Sequence, residues 1–169
     1  MAETLSPSLP PRVDDLAYRV AKAACDYELK LATAESCTGG LIASLLTDIE
    51  GCAHAFERGF VTYSDEAKHQ MLGVSLALLR DPGAVSPPVA RAMATGALAA
   101  SQAHIALAVT GFAGPGAPGD EPGLVYFAVA GHGRPTQVVE KHFGDIGRGG
   151  VRLACLEVGL ELMLKAIRP

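Results

Sequence analysis

Apolar residues recur at two spacings along the chain, and these spacings predict helices that alternate with strands. A spacing of three or four residues gives the first helix one apolar face, built from Val13, Leu16, Ala17, Val20, Ala21, Ala24 and Cys25. Short apolar runs predict buried strands at "KLATAE", "GFVTY" (59–63) and "HIALAVTG". The segments "LVYFAVAG" and "TQVVEKHF", joined by "GHGRP", predict an antiparallel pair.

Capping residues and glycines set the expected ends of the other helices. The predicted segments are Thr38 to Ile49, ended by Gly51; "SDEAKHQMLG", with Ser64 as N-cap and Gly73 as its end; "VSPPVARAMATGALAAS", with Ser86 as N-cap and Pro87 in the first turn; and Val151 to Ile167. Helices placed between strands, with a late hairpin, predict an α/β sandwich around a mixed sheet.

The length and composition predict a folded chain with one core. The sequence has 169 residues, of which 49% are hydrophobic and 19% charged. We expect residues 1–12, rich in proline and serine, to form a flexible tail, and residues 13–169 to form a single domain. The net charge of -4 argues against nucleic acid as a partner. Without a long apolar run or a signal-peptide pattern, we expect no membrane partner and a cytoplasmic location.

Neither the cysteines nor the histidines predict a metal site. The four cysteines, Cys25, Cys37, Cys52 and Cys155, form no CxxC pair and have no histidine at ligand spacing. We therefore expect separate small thiols, no disulfide and no metal. The five histidines fall in loops, on a polar helix face or at strand ends, which is typical of solvated surface positions.

The segment "ESCTGG" carries the first candidate chemistry. Ser36 and Thr38 follow a predicted strand and precede a helix, where ligands of open α/β folds tend to bind. The free N–H groups of a helix start suit a phosphate or an oxyanion, and Gly39 and Gly40 allow a substrate to approach the backbone closely. The alternative interpretation is that Ser36 or Thr38 only caps the helix.

A serine nucleophile needs a base, and "TYSDEAK" offers one. Lys68 is expected near the start of a helix, where the helix dipole and a dry environment would lower its pKa. Tyr63 would then hold the lysine or relay the proton. Alternatively, Lys68 is an exposed side chain near Asp65 and Glu66, whose charges oppose the lowering. A short-chain dehydrogenase pair is disfavoured, because the tyrosine and lysine are five residues apart and the glycine-rich loop follows them.

Two further loops are candidates for phosphate binding. The backbone N–H groups of "TGFAGPG", which includes Thr110, Gly111 and Gly114, favour an anion nest, although a simple connecting loop is the alternative. The segment "FGDIGRGGVR" places Arg148 and Arg152 before the last helix, where an arginine can bind phosphate through two hydrogen bonds. A surface salt bridge is the alternative for these arginines.

Taken together and in order, these segments resemble the CinA C-terminal domain family. The resemblance rests on "TAESCTGGLIASLLTDIEG", "FERGFVTYSDEAK", "GAVS", "ARAMATGAL", "AVTGFAGPG" and "GLVYFAVA", and it extends from Val13 to Ile167. The enzymatic members of the family are the PncC-type nicotinamide-nucleotide amidases. The resemblance implies a three-layer α/β/α sandwich around a mixed β-sheet. It also implies hydrolysis of nicotinamide mononucleotide to nicotinate mononucleotide and ammonia.

The resemblance also implies roles for individual residues. Ser36 is the expected nucleophile, and Tyr63 and Lys68 are its activating partners. The expected substrate-binding residues are Thr38, Gly39, Gly40, Arg58, Thr110, Gly111, Gly114 and Arg148, and Arg58 is also expected to help lower the pKa of Lys68. We expect no cofactor, a small nucleotide as substrate and a homo-oligomer.

The chain departs from the family pattern in two loops. One is "GAPGDEPG", where Glu121 stands at a position that is commonly lysine. The other is "GDIGR", which displaces the usual arginine to Arg148. Because both loops are expected near the phosphate or the ribose, two alternatives stay open: a catalytically silent nucleotide-binding module and an amidase for another small amide.

Overall fold

A computed structural model of the protein describes residues 9–167, and its centre is a mixed five-stranded sheet. The strands are β1 (Leu31–Glu35), β2 (Phe56–Val61), β3 (Ile105–Gly111), β4 (Leu124–Gly131) and β5 (Arg134–His142). Their order in the sheet is β2-β1-β3-β4-β5. Strand β1 pairs in parallel with β2 and β3, whereas β4 pairs antiparallel with β3 and β5. The predicted mixed sheet and late hairpin are confirmed.

Six helices surround the sheet within the described residues. They are α1 (Pro11–Asp26), α2 (Leu41–Thr47), α3 (Asp65–Leu72), the short α4 (Leu76–Leu78), α5 (Pro87–Ala99) and α6 (Gly147–Ile167). A 3₁₀ turn (Ala53–Ala55) precedes β2, and a π-helical turn (Leu79–Gly83) follows α4. None of the helices in the described part of the chain has the length and apolar character needed to cross a membrane.

The helices form one layer on each face of the sheet, which confirms the three-layer α/β/α architecture. One face carries large side chains such as Leu107 and Phe127, and these pack with residues of α1, α2 and α6. The other face is almost entirely alanine, with Ala32, Ala34, Ala106, Ala108, Ala128 and Ala130 packed against residues of α3 and α5. Small side chains let α5 lie close to the strands. The inner strands β1 and β3 are therefore buried on both faces.

Several element boundaries differ from the prediction. Helix α1 begins at Pro11, so 11 and 12 belong to it and not to the tail; residues 1–8 of the predicted tail lie outside the described residues. Strand β2 begins at Phe56 rather than Gly59, because an edge strand with an exposed face tolerates the polar Glu57 and Arg58. Helix α6 begins at Gly147, four residues before the predicted start. Segment 76–83 was not predicted as helical.

The topology brings the ends of three strands to one edge of the sheet. Parallel pairing places Glu35 level with Val61 of β2 and Val109 of β3. Two further hydrogen bonds extend this pairing past the strand ends: Thr62 N–H donates to the Glu35 carbonyl at 2.9 Å, and Ser36 N–H donates to the Val109 carbonyl at 3.0 Å. The residues that follow β1, β2 and β3 are therefore neighbours in space.

Candidate active site

A pocket of about 260 Å³ opens where these three strands end. Ser36 contributes from the segment after β1, and Tyr63 from the segment after β2. The third side of the pocket is the end of β3 and the loop that follows it, from Thr110 to Gly116. Lys68 of α3 and Arg148 of α6 also line it. None of the histidines, all of which lie within residues 9–167, contributes to this pocket.

Ser36 is held firmly at the mouth of the pocket. Its residue surface is 8% exposed. Its backbone N–H is bonded to Val109, and its carbonyl accepts the N–H of Gly39 at 3.1 Å, which closes a tight turn. The backbone on both sides of the serine is therefore fixed by hydrogen bonds, and only the side chain is left to face the pocket.

Lys68 is the most unusual polar residue of the site, because it is buried with only 1% of its surface exposed. Its Nζ lies 3.2 Å from the Ser36 Oγ, 3.0 Å from the Thr62 carbonyl oxygen and 3.4 Å from the Tyr63 carbonyl oxygen. No carboxylate is among these hydrogen-bond partners. A buried amine without a counter-charge is costly to protonate.

The surroundings of Lys68 lower its pKa, as the sequence predicted, and of the two predicted causes it is the dry environment that acts. Burial lowers the pKa of Lys68, while the charge of Asp65 and the nearby Cys37 thiol raise it, and burial is the largest of these effects. The helix begins as predicted, since the Ser64 hydroxyl accepts the N–H of Ala67 at 3.1 Å. Lys68 follows in the first turn of α3 and points into the protein.

Tyr63 meets Lys68 through its backbone and not through its phenol. The residue is 65% exposed, and its side chain lines the outer part of the pocket. Only its carbonyl oxygen is near the Lys68 amine. The position at the pocket suits contact with a substrate, and the predicted relay of a proton by the tyrosine stays a prediction.

Sequence reasoning missed Glu35, the last residue of β1, which is fully buried. Its carboxylate oxygens accept the backbone N–H groups of Gly40 at 3.2 Å, Ile42 at 3.1 Å and Ala43 at 2.8 Å. These N–H groups at the start of α2 are the donors that were predicted to bind a substrate anion. The Glu35 carboxylate therefore occupies the place that was predicted for a substrate anion. An acidic residue at the end of the otherwise apolar "LATAE" was the available signal.

The predicted substrate contacts of Thr38, Gly39 and Gly40 are therefore not supported by the structure. Thr38 is completely buried, and neither glycine lines the pocket. The glycines are needed for the turn itself, because their φ angles of 62° and 92° are left-handed. Helix α2 consequently starts at Leu41 and not at Thr38.

Arg152 supports the same turn from the opposite side. Its Nη2 donates to the Thr38 carbonyl oxygen at 3.1 Å, and it lies 3.4 Å from where a Cβ on Gly39 would be. The Arg152 guanidinium is thus already hydrogen-bonded to the protein's own backbone. Among the described residues, its Nε and the Thr38 hydroxyl are buried without a hydrogen-bond partner.

Four of the predicted substrate-binding residues do line the pocket: Thr110, Gly111, Gly114 and Arg148. The Thr110 hydroxyl is already used, because it donates to the Ala84 carbonyl oxygen at 2.9 Å. Gly111 is needed for packing, since a Cβ there would lie 2.6 Å from the Val125 side chain. Only Gly114 and the exposed Arg148, which stand next to each other, are free to meet a ligand.

Arg58 lies away from the site, and its predicted role is wrong. In the sheet register it pairs with Ala32, near the opposite end of β1 from Ser36. Its guanidinium pairs with Glu57 at 2.7 Å and donates to the Ala100 carbonyl oxygen at 3.0 Å. It is not among the groups that shift the pKa of Lys68.

Cys37 follows the serine and is among the residues that line the pocket, but it is 5% exposed and belongs to the hydrophobic core. The neighbouring Cys37 thiol, followed by burial, raises the pKa of Cys155. Both cysteines are free thiols, as expected. Within residues 9–167, no group of histidine, cysteine and acidic side chains has an arrangement suited to a metal ion.

Glu121, where the family commonly has lysine, does not enter the pocket. Its carboxylate is 2.6 Å from the Nδ1 of His142 on β5. The acidic charge in this loop is therefore turned away from Ser36 and Lys68, and it leaves the charge of the pocket lining unchanged.

Comparisons with known proteins place this chain in a family. The sequence model of the CinA C-terminal domain matches residues 13–167. The nicotinamide-nucleotide amidohydrolase PncC of Enterobacter agglomerans is 47% identical over 135 residues, covering 78% of this chain and 81% of that protein. A CinA-like protein of Akkermansia muciniphila is 54% identical over 112 residues, covering 65% of this chain but 27% of that protein. The crystal structure of the competence/damage inducible protein CihA from Agrobacterium tumefaciens matches with a TM-score of 0.90, 43% identity and full coverage of both chains.

The relatives differ in length. The chain spans about a third or less of several curated relatives that it matches, between 26% and 34% of their length. By contrast, it covers most of the Enterobacter agglomerans amidohydrolase and all of the Agrobacterium tumefaciens structure. The shared unit is therefore the α/β/α fold that carries Ser36 and Lys68.

Proposed function

The chain belongs to the CinA C-terminal domain family, and we propose that it hydrolyses the amide of nicotinamide mononucleotide to give nicotinate mononucleotide and ammonia. One observation carries this proposal: a buried lysine amine, with its pKa lowered, lies 3.2 Å from a serine hydroxyl at the mouth of a pocket. The 47% identity to a protein named as a nicotinamide-nucleotide amidohydrolase supports the choice of substrate.

The contacts of Lys68 explain why its neutral form can act as a base. A neutral amine has two N–H donors and one lone pair. The carbonyl oxygens of Thr62 and Tyr63 can only accept, so they take the two N–H groups. The lone pair is then directed at the Ser36 hydroxyl, the remaining neighbour. The same two carbonyls stabilise the ammonium that forms when the lysine takes the proton.

In the first half of the reaction, the Ser36 oxygen attacks the carboxamide carbon while Lys68 accepts the hydroxyl proton. The carbonyl π electrons move to the oxygen, and the Lys68 ammonium stabilises the negative charge. When the tetrahedral intermediate collapses, the C–N bond breaks and Lys68 returns the proton to the leaving nitrogen. Ammonia departs, and the nicotinoyl group remains as an ester of Ser36.

In the second half, water takes the position that the ammonia vacated. Lys68 accepts a proton from the water as its oxygen attacks the ester, and the C–O bond to Ser36 then breaks. The proton returns to the Ser36 oxygen, and the nicotinate mononucleotide leaves. Each half uses the same lysine once as a base and once as an acid, so the residues are restored after every turnover.

Arg148 and the loop at Gly114 are the proposed site for the phosphate. Arg148 is the second basic residue lining the pocket besides Lys68, and it is exposed to a ligand. Guanidinium binds phosphate through two parallel hydrogen bonds. The backbone at Gly114 has no side chain to keep the phosphate away. The exposed ring of Tyr63 is suited to cover the nicotinamide.

The intact contact between Ser36 and Lys68 favours an enzyme over a silent nucleotide-binding module. A module without chemistry would have no use for a buried lysine without a counter-charge, which costs folding free energy. To distinguish an amidase of mononucleotides from one of other small amides, the purified protein is given nicotinamide mononucleotide, nicotinamide riboside or nicotinamide. We expect ammonia from the mononucleotide far faster than from the two amides that lack the phosphate.

The test of the mechanism compares two neighbouring substitutions. Ser36→Ala should lower ammonia release by about 10⁴-fold or more, because the nucleophile is lost. Cys37→Ala is the matched control, and it should keep most of the activity because the proposed steps give the thiol no role. If Cys37→Ala is inactive and Ser36→Ala is active, the thiol is the nucleophile and the proposed mechanism is wrong.

A further inference from the structure

A second pocket, of about 310 Å³, lies at the other end of β1 from Ser36. The end of α1 and the residues that lead into β1 form its walls, and His54, from the turn before β2, closes it. The side chains that carry chemistry here are Cys25, Lys30 and His54. None of them belongs to the proposed amidase site.

Cys25 and His54 form a thiol–imidazole pair in this pocket. The Sγ of Cys25 is 3.5 Å from the Nε2 of His54. The backbone of His54 is held in position, because the Lys30 amine donates to the His54 carbonyl oxygen at 2.6 Å. Cys25 is half-buried and lines the pocket, so a small molecule can reach its sulfur. An imidazole at this distance can accept the thiol proton as the sulfur attacks.

A second thiol lies next to this pair on the side away from the pocket. Cys52 lies near enough to Cys25 for that thiol to influence its pKa, is 9% exposed and does not line the pocket. Burial, followed by the contact with Cys25, raises the pKa of the Cys52 thiol. The two cysteines are therefore unequal: one is accessible and has a base beside it, and the other is sheltered.

We propose that Cys25, His54 and Cys52 form a thiol–disulfide exchange site for low-molecular-weight disulfides. The Cys25 sulfur attacks one sulfur of the small disulfide while His54 takes the thiol proton, and the other half leaves as a thiolate. A mixed disulfide remains on Cys25. The Cys52 sulfur then attacks the Cys25 sulfur, and the second small thiol leaves. The two protein thiols are oxidised by two electrons, and the small disulfide is reduced to two thiols.

The product, a disulfide between Cys25 and Cys52, would join the end of α1 to the turn before β2. These segments lie away from the Ser36 pocket. The oxidised form should therefore resist unfolding more than the reduced form without a change in the active site. This inference does not depend on the amidase proposal, and its test uses no measurement of activity.

The chain carries its own control in Cys37 and Cys155. These thiols are also neighbours, but they are 5% and 0% exposed and no histidine lines the neighbouring pocket. If proximity of two thiols were sufficient for exchange, both pairs would react. The proposed site requires that only the pair with the accessible sulfur and the imidazole reacts.

The experiment incubates the folded protein with glutathione disulfide and then maps the disulfides by mass spectrometry after alkylation. We expect the protein to lose two of its four free thiols and to give a peptide that joins Cys25 to Cys52, with Cys37 and Cys155 alkylated. Four thiols still reduced, or a bond between Cys37 and Cys155 alone, would overturn the proposal.

Three variants test the assigned roles. Cys52→Ser should accumulate one glutathionyl group on Cys25, because the resolving thiol is missing, whereas Cys25→Ser should take up none at Cys52. His54→Ala should slow the first step by about tenfold or more at neutral pH, because the base is missing. Modification of Cys52 in the Cys25→Ser variant, or an unchanged rate in His54→Ala, would show that the roles are assigned wrongly.

Discussion

Lys68 and Ser36 lie within hydrogen-bonding distance because hydrogen bonds to the backbone hold both residues in place. The lysine amine is held by two carbonyl oxygens, and the serine lies in a turn whose N–H and carbonyl groups are bonded. Neither side chain depends on a flexible partner for its position. A rigid arrangement of this kind limits the reorganisation that the reaction requires.

The first prediction concerns the pH dependence that follows from the lowered pKa of Lys68. The reaction requires the neutral amine, so kcat/KM should rise with pH as Lys68 loses its proton. Because burial favours the neutral form, the midpoint of the rise should lie below the ordinary lysine value of 10.5. A profile measured from ammonia release would contradict the mechanism if it fell with pH over this interval, or if its midpoint lay at or above the ordinary value.

The second prediction concerns the phosphate. Arg148→Ala should raise KM for nicotinamide mononucleotide by about 10- to 100-fold, because hydrogen bonds between charged groups contribute about 1.5–3 kcal/mol. Arg58→Ala is the matched control and should leave KM unchanged, since its guanidinium pairs with Glu57 near the opposite end of β1 from Ser36. An unchanged KM in Arg148→Ala, measured by steady-state kinetics, would place the phosphate elsewhere.

At the residue level, the position of a residue in the sequence predicted its place at the site, whereas the direction of its side chain could not be predicted. Ser36 and Lys68 were predicted because each follows the end of a strand at a recognisable helix signal. Arg58 was assigned wrongly because its ion pair with the adjacent Glu57 and its bond to Ala100 depend on the register of the edge strand. Such contacts cannot be read from spacing alone.

Helix α2 and the turn before it depend on one buried residue of the preceding strand. The Glu35 carboxylate accepts three backbone N–H groups, and Arg152 holds the turn from the other side. The start of a helix is normally capped by a residue immediately before it. Here the cap comes from β1, so strand, turn and helix form one unit around Ser36.

The third prediction tests this unit with Glu35→Gln. The amide keeps one acceptor oxygen but turns an NH₂ group towards N–H donors, so we expect a loss of about 2–3 kcal/mol in the free energy of unfolding. We also expect kcat to fall more than KM changes, because Glu35 positions Ser36 and does not line the pocket. Urea denaturation and steady-state kinetics measure both effects.

Glu50→Gln is the control for the charge change, because Glu50 is an exposed residue beyond the end of α2. It should leave stability and kcat unchanged. If Glu35→Gln behaves like this control, then the carboxylate does not organise the turn.

At the level of elements, apolar periodicity predicted all five strands and the main helices, but it misplaced several ends. The start of α2 was placed too early, since Thr38 is a good capping residue by type yet lies in a buried turn. The start of β2 was placed too late, because its polar residues face solvent at a sheet edge. In both cases tertiary contacts outweigh local preference.

The whole molecule combines a parallel and an antiparallel region in one sheet, and the active-site pocket belongs to the parallel region. Strand order follows from the connections: α2 and α5 carry the chain back between parallel strands, a longer loop (112–123) joins β3 to β4, and a tight turn joins β4 to β5. The sequence predicted this architecture well because the alternation of helices and strands specifies it. The pairing of Cys25 with Cys52 was not predicted, since it joins segments that only the fold brings together.

The fourth prediction is that activity needs no metal. Within the described residues no cluster of side chains is arranged for a metal ion, and the proposed steps use only Ser36 and Lys68. Prolonged treatment with EDTA followed by removal of the chelator should leave ammonia release unchanged. A loss of activity that zinc or magnesium restores would contradict this mechanism.

The central claim is that Lys68 acts as a proton acceptor and not only as a positive charge. The most direct test is the rate of ammonia release from nicotinamide mononucleotide by Lys68→Arg, with folding checked by circular dichroism. Arginine keeps the charge but does not give up its proton. We predict a loss of about 10²- to 10⁴-fold, the range expected when a general base is removed. A rate near that of the unmodified protein would contradict the account, because a permanent cation would then do what Lys68 does.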